Sequence, residues 1–297
     1  MSIEPPFFSI VVPTYNRLPL LKRTVESLFK IEYPSFEIIV VSDGSTDGTH
    51  EYVSSLSETG KIVFLQQQNQ GPAMARNLGI DHAKGDCIAF TDDDCIVPAD
   101  WLTKFSERFA QSGASGIGGS SRTGDSSNIF AVANDLIVNF FKEALNFRPG
   151  MATPFLTSNN AAYTKSSLEK IGGFHEDFKR GAEERDLNFR LACAGEKLIY
   201  DPEIVIDHYN DADFSAFVKH QFEQGRGSYV LYRNARRQPG SKHDSIPASV
   251  YIRLMLRPFS VYPPGRALAL SALMVLTQII ITFGFLAQAV SGKKDRS

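Results

Sequence analysis

Three consecutive aspartates, Asp92–Asp94, closely follow the apolar run Cys87–Phe90. Their mutual repulsion on a short loop costs free energy unless a cation or a positive ligand offsets it. The alternate carboxylates of Asp92 and Asp94 can point the same way and bind one hard divalent ion, with phosphate oxygens completing its shell. The pattern therefore indicates a site for a divalent cation and a phosphorylated ligand at the end of a strand.

Two earlier strand-like runs also end in polar residues. Pro13–Arg17 follows the run Phe8–Val12, and Ser42–Asp47 follows Glu37–Val41. Asp, Asn, Ser and Gly also form turns and cap helices, so capping by Ser45 or Asp47 explains the second cluster equally well. These segments become informative only if the fold brings them close to the aspartate run.

The alternation of apolar runs and amphipathic patterns predicts the elements that would bring these segments together. Strands are predicted at 8–12, 37–41, 61–65 and 87–90, and helices at 18–29, 46–57 and 72–83. Three βα units in series require a mostly parallel sheet with right-handed crossovers, hence a doubly wound α/β domain. Ligands of such sheets bind beyond the carboxyl ends of the strands, which is where the polar segments lie.

The composition excludes several classes of protein. The chain has 297 residues, 43% apolar and 22% charged, which excludes a disordered, collagen-like or coiled-coil chain. No GxGxxG or P-loop motif opens the first helix, which argues against a dinucleotide-binding enzyme or a nucleotidyltransferase on a similar sheet. Cys87, Cys95 and Cys193 form no CxxC pair, so we expect buried free thiols in a reducing compartment.

Charge is distributed unevenly along the chain. Residues 1–213 carry a net charge of −11, whereas residues 214–266 carry nine basic and two acidic side chains. Residues 267–291 carry no charge, and the tail at 292–297 is basic. An acidic body, a basic segment and an uncharged segment are three different physical environments.

The uncharged segment Ala267–Val290 is predicted to enter a membrane, with a buried core helix as the alternative. As a helix its 24 residues would be about 36 Å long, enough to cross a hydrocarbon core of about 30 Å with some tilt. Met1–Pro6 leads straight into the first strand, so no signal peptide is expected. The predicted units are a domain at 1–240, a basic linker at 241–266, a transmembrane or membrane-embedded helix at 267–291 and a tail at 292–297.

The orientation of this segment depends on its basic neighbours. Arg253, Arg257 and Arg266 would keep the linker in the cytoplasm by the positive-inside tendency, although the basic tail weakens that argument. A re-entrant helix with both ends in the cytoplasm stays open. The segment Ile246–Tyr262 either lies along the membrane interface or is an ordinary linker. We expect a membrane-associated protein whose main domain is on the cytoplasmic face.

Taken in order, the motifs resemble those of family 2 glycosyltransferases with the GT-A fold. The landmarks are Val12–Asn16, Asp43–Asp47, Gly71–Asn77, Asp92–Asp94, Asn159–Ala161, Gly172–Phe174, Glu183–Leu187 and His208. Each motif is weak alone, but eight in this order over residues 7–235 are specific. The resemblance implies a Rossmann-like, mostly parallel central sheet with flanking helices and a transferase that uses nucleotide-diphosphate sugars.

The resemblance also implies a donor site. The positions that would contact the nucleotide sugar are Pro13, Tyr15, Arg17, Asp43, Arg76, Asp92, Asp93 and Arg226. Asp43 would accept a hydrogen bond from the base, and Arg76 would close the site or bond the acidic loop, unless it forms a structural pair on a surface helix. Arg226, between two glycines, would approach the diphosphate, unless these glycines mark the end of a helix.

A divalent metal, Mg²⁺ or Mn²⁺, is implied beside the donor. Asp94 would be its main carboxylate ligand, Asp92 would lie near the ribose or the metal, and His208 would be a further ligand. A lone histidine is more often structural, so the assignment of His208 as a metal ligand rests on its position in the order of the motifs. The metal would offset charge that develops on the departing diphosphate.

The acceptor side is less clearly indicated. Asn159 and Gly173 match family positions that we expect there. The stretch Gly116–Phe155 shows no catalytic pattern, and we expect it to hold the far edge of the sheet, a helix near Ile129–Phe141 and part of the acceptor cleft.

The catalytic base is predicted to be Glu184, with Glu183 as the alternative. The family usually supplies the base from a Glu-Asp pair followed one residue later by Asp-Leu, and Asp186-Leu187 places Glu183-Glu184 at that pair. Glu184 therefore stands where the family has Asp, which makes the carboxylate one methylene longer. The acids could instead simply enrich the first turn of a helix at Glu183–Ala194, whose dipole favours them.

The expected function follows from these assignments. The chain should be a membrane-attached, metal-dependent glycosyltransferase that inverts the anomeric centre and acts on a lipid-linked or otherwise membrane-bound acceptor. UDP-, GDP- and dTDP-linked donors remain open, as does the oligomeric state, and no nucleic-acid partner is expected. The alternative is a carbohydrate- or nucleotide-binding module that kept the fold without the chemistry.

Overall fold

The computed structural model describes residues 4–146, 155–178, 181–210, 212–236 and 246–294. The last three residues of the predicted basic tail and the first five of the predicted linker lie outside the described residues. The described residues form one eight-stranded sheet with helices packed on both of its faces.

The strands are β1 Phe8–Thr14, β2 Phe36–Ser42, β3 Val63–Gln66, β4 Cys87–Phe90, β5 Cys95–Ile96, β6 Gly116–Thr123, β7 Ala161–Thr164 and β8 Leu198–His208. Their order in the sheet is β3-β2-β1-β4-β7-β6-β8-β5. The pairs β3–β2, β2–β1, β1–β4 and β6–β8 are parallel, while β7 runs antiparallel to β4 and β6. The predicted βα units therefore form one half of a mixed, mostly parallel α/β sheet.

The helices are α1 Leu18–Leu28, α2 Thr49–Glu58, α3 Pro72–His82, α4 Trp101–Ser112, α5 Ile129–Asn146, α6 Lys165–Ile171, α7 Glu183–Cys193, α8 Phe214–Ala235, α9 Ala248–Leu256 and α10 Pro264–Lys294. A single 3₁₀ turn, Arg257–Ser260, joins α9 to the segment before α10. The predicted first helices are confirmed, except that α2 begins three residues later than expected. Asp47 explains the delay, because its carboxylate accepts from the backbone N–H of Thr49 and, across the loop, of Leu18.

Alternating side chains of the central strands belong to two separate core clusters, one on each face of the sheet. Ile10 and Val12 of β1 pack with Leu21 and Val25 of α1, whereas Val11 faces the opposite layer of the sheet. That opposite layer contains α3, α6 and α7. Because β1 is buried along its whole length, the segments at its carboxyl end are held rigidly between two layers.

The C-terminal helix α10 packs against the rest of the chain instead of standing apart from it. Leu270 joins a cluster with Phe217 of α8 and Val132 of α5, and Met274 joins one with Ile137 of α5 and Leu254 of α9. Its part Pro264–Ser291 is long and apolar enough to cross a membrane, with a mean hydropathy of 2.1, and 22% of its most apolar stretch is buried.

Two sequence predictions are wrong. The stretch that begins at Gly116 does not hold the far edge of the sheet, because β6 lies between β7 and β8, and the edge strands are β3 and β5. Cys193 is exposed near the end of α7, whereas Cys87 and Cys95 are buried as expected. All three are free thiols.

Candidate active site

Two cavities lie side by side at the carboxyl ends of β1, β2 and β4. The first, which we call the Asp43 cavity, has a volume of about 440 Å³. Its lining includes the predicted nucleotide-binding residues Pro13, Tyr15, Arg17, Asp43, Arg76, Asp92 and Asp93, together with Glu183 and one side of α8. The polar segments that follow three different strands are therefore brought to one place, as the parallel sheet requires.

The second cavity, which we call the Glu184 cavity, has a volume of about 540 Å³. Its lining includes Glu184, Asp94, His208 and Asn159, which come from four different parts of the chain. Arg17, Asp92, Ala216, His220 and Gln224 line both cavities. A molecule in one cavity would therefore meet a molecule in the other beside the aspartate run.

The carboxylate of Asp43 organises the loop that leads into α3. Its Oδ1 accepts from Gln67 Nε2 at 2.7 Å and from the N–H of Gln70 at 2.8 Å, and its Oδ2 accepts from the N–H of Gly71 at 2.9 Å. Gly71 has φ of +95°, a backbone conformation that an L side chain rarely adopts. Asp43 is buried but faces the cavity, so it shapes the wall as well as offering an acceptor.

Arg17 holds the second and third aspartates of the run. Its guanidinium donates to Asp93 Oδ1 at 2.9 Å and to Asp94 Oδ2 at 2.8 Å, and the hydroxyl of Thr14 donates to Asp93 Oδ2 at 2.7 Å. Burial and the charges of Asp94 and Asp92 raise the pKa of Asp93 to about 7, although Arg17 opposes this. Asp93, the middle aspartate, therefore holds the loop in position.

Asp94 and His208 form the part of the site that fits a divalent metal. Asp94 Oδ2 lies 3.5 Å from His208 Nε2, and His208 Nδ1 lies 2.8 Å from Asp135 Oδ1. Burial alone would raise the pKa of Asp94, but His208 and Arg17 hold that pKa well below its usual range. A metal-bound histidine typically donates its other ring N–H to a carboxylate, which is the arrangement that Asp135 provides.

Cys95 is the third potential donor within 4.8 Å of this pair. Burial, together with the charges of Asp94 and Asp92, raises the pKa of its thiol well above the usual value. Because metals bind the thiolate, the donor set on offer consists of a carboxylate and an imidazole. Such a set suits a divalent cation of the Mn²⁺ type.

Asp92 is linked to the start of α7 through a buried arginine. Arg76 donates to Asp92 Oδ1 at 2.7 Å and approaches Glu183 Oε1 at 3.3 Å, while its guanidinium lies 5.7 Å from the ring centre of Phe174. Arg76 Nε and Glu183 Oε2 are buried without a hydrogen-bond partner among the described residues. Arg76 therefore bonds the acidic loop, and it is buried at 4% exposure instead of lying on the surface.

Glu184 points into the second cavity, while its neighbour Glu183 is paired with Arg76. Burial, and next the charge of Glu183, raise the pKa of Glu184 to about 7. The chain enters α7 through two left-handed residues, Gly181 with φ of +79° and Ala182 with φ of +64°. Strained backbone of this kind recurs where a side chain must be held at a functional position.

Two predicted site residues lie elsewhere. Gly173 lines neither cavity; it has φ of +67°, and a Cβ there would meet Asn77 Oδ1 of α3 at 2.5 Å. Arg226 lies in the middle of α8, where it donates to Gln288 of α10 at 2.8 Å and pairs with Glu223 at 3.3 Å. The helix does not end at the adjacent glycines, because it continues to Ala235.

Sequence reasoning missed Asp135 and His220, which line the cavities, and Lys142, two turns along α5 from Asp135. Asp135 and Lys142 of α5 are buried, and Lys142 donates to the carbonyl of Gly119 at 3.0 Å. Burial lowers the pKa of Lys142 to about 8. His220 of α8 lines both cavities. Isolated charged residues inside the apolar pattern of α5 were the available signal for Asp135 and Lys142.

The fold and the sequence place the chain in a known class. The model of the family described as "Glycosyl transferase family 2" matches residues 9–172. The chain belongs to this family of glycosyltransferases, which confirms the resemblance inferred from its motifs.

Two curated relatives illustrate the sequence similarity. Glycosyltransferase AglE of Haloferax volcanii is 26% identical over 238 residues, 78% of this chain and 76% of the relative. A GalNAc(5)-diNAcBac-PP-undecaprenol beta-1,3-glucosyltransferase of Campylobacter jejuni is 38% identical over 92 residues, 30% of each protein. The chain spans only 12% and 40% of the length of two other curated glycosyltransferases that it matches.

Solved structures share the fold over almost the whole chain. The mannosyltransferase PcManGT of Pyrobaculum calidifontis, in complex with GDP-Man and Mn²⁺, has a TM-score of 0.61 at 22% identity, covering 97% of this chain and 80% of that one. TarS 1–349 of S. aureus, in complex with UDP-GlcNAc, has a TM-score of 0.57 at 16% identity, covering 97% and 92%. These likenesses confirm the predicted GT-A α/β fold.

Proposed function

We propose that this glycosyltransferase moves one sugar from a nucleotide-diphosphate donor to the hydroxyl of a lipid-linked acceptor, with inversion at the anomeric carbon. The observation that carries the proposal is that Asp92 lines both cavities, with Glu183 in one and Glu184 in the other. Two substrates held in these cavities would meet at the aspartate run, where a cation can be bound.

The Asp43 cavity suits the donor. It lies at the carboxyl ends of parallel strands, where such sheets bind nucleotides, and it offers both an acidic wall and a basic one. Arg17 and Lys219 supply positive charge for phosphates, and Tyr15, 40% exposed, offers an aromatic face for a base. The structure of PcManGT contains GDP-Man and that of TarS 1–349 contains UDP-GlcNAc, so the proposal covers both guanosine and uridine donors.

Asp94 and His208 would hold a divalent cation, with Asp92 nearby. When bound, the cation supplies positive charge that stabilises the departing diphosphate. The imidazole favours Mn²⁺ over Mg²⁺, because Mg²⁺ prefers a shell made only of oxygen. The complex of PcManGT with Mn²⁺ supports the same choice.

Glu184 is the base in this proposal. It takes the proton of the acceptor hydroxyl as the oxygen bonds to the anomeric carbon and the nucleoside diphosphate leaves from the opposite side, which inverts the centre. A pKa raised to about 7 is suited to a base that works near neutral pH. Glu183 is less suited, because one of its oxygens lies 3.3 Å from Arg76.

A lipid-linked acceptor is supported by two observations. The C-terminal helix is apolar enough to enter a membrane and packs directly on α8, which lines both cavities. The relative from Campylobacter jejuni is described as acting on an undecaprenol-linked saccharide. A membrane-bound acceptor would then lie one helix away from the Glu184 cavity.

The test is a transfer assay with purified full-length protein, GDP-, UDP- and dTDP-sugars, and polyprenyl-diphosphate saccharides, with and without Mn²⁺. We expect transfer from one donor class, inverted product, and loss of activity with a chelator. Glu184→Gln should retain donor binding and lose transfer by about two to four orders of magnitude. Glu58→Gln, an exposed change on α2, is the matched control.

Three results would contradict the proposal. Donor binding without hydrolysis or transfer would favour the binding module. Near-full activity of Glu184→Gln with loss in Glu183→Gln would move the base to Glu183. Equal transfer to a water-soluble acceptor and to the lipid-linked one would remove the lipid requirement.

A further inference from the structure

Helix α10 has two apolar faces, and only one of them is covered. Its buried face packs on α8, α5 and α9 through residues that include Leu270, Met274 and Thr277. The opposite face, which we call the α10 face, consists of Leu268, Val275, Ile279, Phe283, Leu286 and Val290. These side chains are between 42% and 65% exposed. They form an apolar strip about 33 Å long without a charge, far more than a soluble helix leaves to water.

The buried face fixes α10 lengthwise along α8. A Cβ at Gly225 would meet the carbonyl oxygen of Ile281 at 2.2 Å, and a Cβ at Gly284 would meet that of Phe222 at 2.1 Å. Further along, Phe285 contacts the rings of both tyrosines of the last turns of α8, Tyr229 and Tyr232. The two backbones therefore touch, and α10 is held as part of the catalytic domain.

This packing conflicts with a helix that crosses a bilayer. Arg226 of α8 bonds to Gln288 of α10 at 2.8 Å and pairs with Glu223 at 3.3 Å. If α10 stood upright in the membrane with α8 attached, these charged side chains would enter the hydrocarbon core, which is costly. If α10 lies flat, its exposed face enters the lipid while α8 stays on the water side.

Helix α9 and the 3₁₀ turn add a second surface of mixed character. Ile252, Arg253, Leu256 and Arg257 are exposed on α9 and its end, so apolar and basic side chains share one side. The hydroxyl of Ser271 donates to the carbonyl of Met255 at 2.7 Å, which docks α9 against α10. Residues 246–294 contain no Asp or Glu, although Arg257 lies 3.6 Å from Glu143 of α5. A surface of this composition complements an anionic leaflet.

We propose that α9 and α10 form an in-plane membrane-docking surface, with the α10 face immersed in one leaflet of anionic lipid and neither end of α10 crossing it. The proposal refines the membrane association in the proposed function, and its tests do not depend on catalysis. The structure thus assigns the membrane to one particular side of the domain, behind α8.

Vesicle flotation tests the surface itself. The full chain should float with vesicles of phosphatidylglycerol and phosphatidylcholine, and the double variant Ile279→Lys/Phe283→Lys should bind them at least tenfold more weakly. The matched control is Phe29→Lys, which changes a large apolar side chain of similar exposure, 41%, after α1. Circular dichroism and thermal unfolding should show that all variants are folded, because the replaced side chains are exposed.

The basic side chains have their own prediction. Arg253→Gln/Arg257→Gln should weaken binding to vesicles with phosphatidylglycerol at least threefold and leave weak binding to pure phosphatidylcholine unchanged. Equal loss on both kinds of vesicle would contradict a role for the leaflet charge.

Cysteine accessibility distinguishes lying flat from crossing. In a Cys193→Ser background, Gly265→Cys and Ser291→Cys place single exposed thiols near the two ends of α10. A Cβ at Gly265 meets no atom within 4 Å, so this change is tolerated. With sealed vesicles, an impermeant maleimide added outside should label both thiols equally.

Labelling of one thiol only would show a spanning helix and overturn the proposal. A lack of vesicle binding by the wild-type chain would also overturn it. Sedimentation would then show whether the chain is a dimer, in which case a second copy covers the α10 face, or a monomer; either result contradicts the proposal. Loss of transfer in an assay with normal flotation would count against the proposed function and leave the docking surface standing.

Discussion

The Nδ1 atom of His208 lies 2.8 Å from Oδ1 of Asp135, while its Nε2 atom faces Asp94. Asp135 comes from the middle of α5, and its other oxygen is buried without a hydrogen-bond partner among the described residues. The pairing sets the ring orientation and directs Nε2 toward the aspartate run.

We predict that Asp135→Ala weakens Mn²⁺ binding by about 10- to 100-fold, the usual effect of removing a carboxylate that orients a metal-bound histidine. Asp135→Asn should lose less, because its amide oxygen can still accept from Nδ1. Titration calorimetry with Mn²⁺ measures both, without any substrate. The same affinity in all three proteins would show that Asp135 is only a structural partner.

The pH dependence of transfer should reflect Glu184. Because burial and Glu183 raise its pKa to about 7, the carboxylate needed to accept a proton forms only near neutral pH. The transfer rate should therefore rise with pH and reach half its maximum near pH 7. A rate that is flat between pH 5 and 8 would contradict Glu184 as the base.

The same raised pKa predicts an opposite trend in stability. The folded state binds this proton more tightly than the unfolded chain, so the contribution of Glu184 to stability falls as pH rises from about 4.5 to about 7. Glu184→Gln has no such proton to lose. The difference between its melting temperature and that of the wild type should therefore increase, in favour of the variant, from pH 5 to pH 8. Parallel melting curves at every pH would refute the shift.

Arg76 should be far more important for stability than an exposed arginine. Arg76→Met leaves Asp92 and Glu183 without their buried partner, and it should lower the free energy of unfolding by about 3–5 kcal/mol. Arg122→Met removes an ion pair of 2.6 Å to Asp207 whose arginine is 72% exposed, and should cost less than about 1 kcal/mol. Urea unfolding of both variants makes the comparison, and equal losses would contradict it.

The first four strands and most of the helices were predictable, but the strands after β4 were not, for reasons that particular residues show. Long buried strands such as β1 give continuous apolar runs that are hard to mistake. By contrast, β6 begins Gly116-Ile-Gly-Gly119, and glycine carries almost no strand signal, so its place inside the sheet depends on distant partners.

The site shows the same division. Asp92 and Asp94 follow a strand, so the local sequence was enough to place them at the carboxyl end of the sheet's strands. Asp135 lies in a helix whose pattern is otherwise apolar, and only the approach of β8 gives it His208 as a partner. A helix end at the two glycines beside Arg226 was the alternative to a diphosphate contact, whereas α8 continues through both, and they make close contacts with α10 and with the turn before α7.

Those two glycines support separate predictions. A Cβ at Gly227 would meet the carbonyl oxygen of Gly181, at 2.0 Å, in the turn that leads to Glu184, so Gly227→Ala should lower transfer by about 10- to 100-fold. Gly225→Ala should instead push α10 off α8 and lower thermal stability. Gly265→Ala, which meets nothing within 4 Å, is the control for both. Interchanged effects of the two variants would contradict this division.

Helix α8 is a spacer of fixed thickness, because one of its sides lines the cavities and the other touches α10. Packed helices are separated by about 8–10 Å between axes. If α10 rests in a leaflet, the proton-accepting carboxylate stands at one set height above the lipid. A lipid-linked saccharide would then be selected by how far its free hydroxyl projects from the headgroup. The enzyme would therefore discriminate acceptors by their length above the membrane surface.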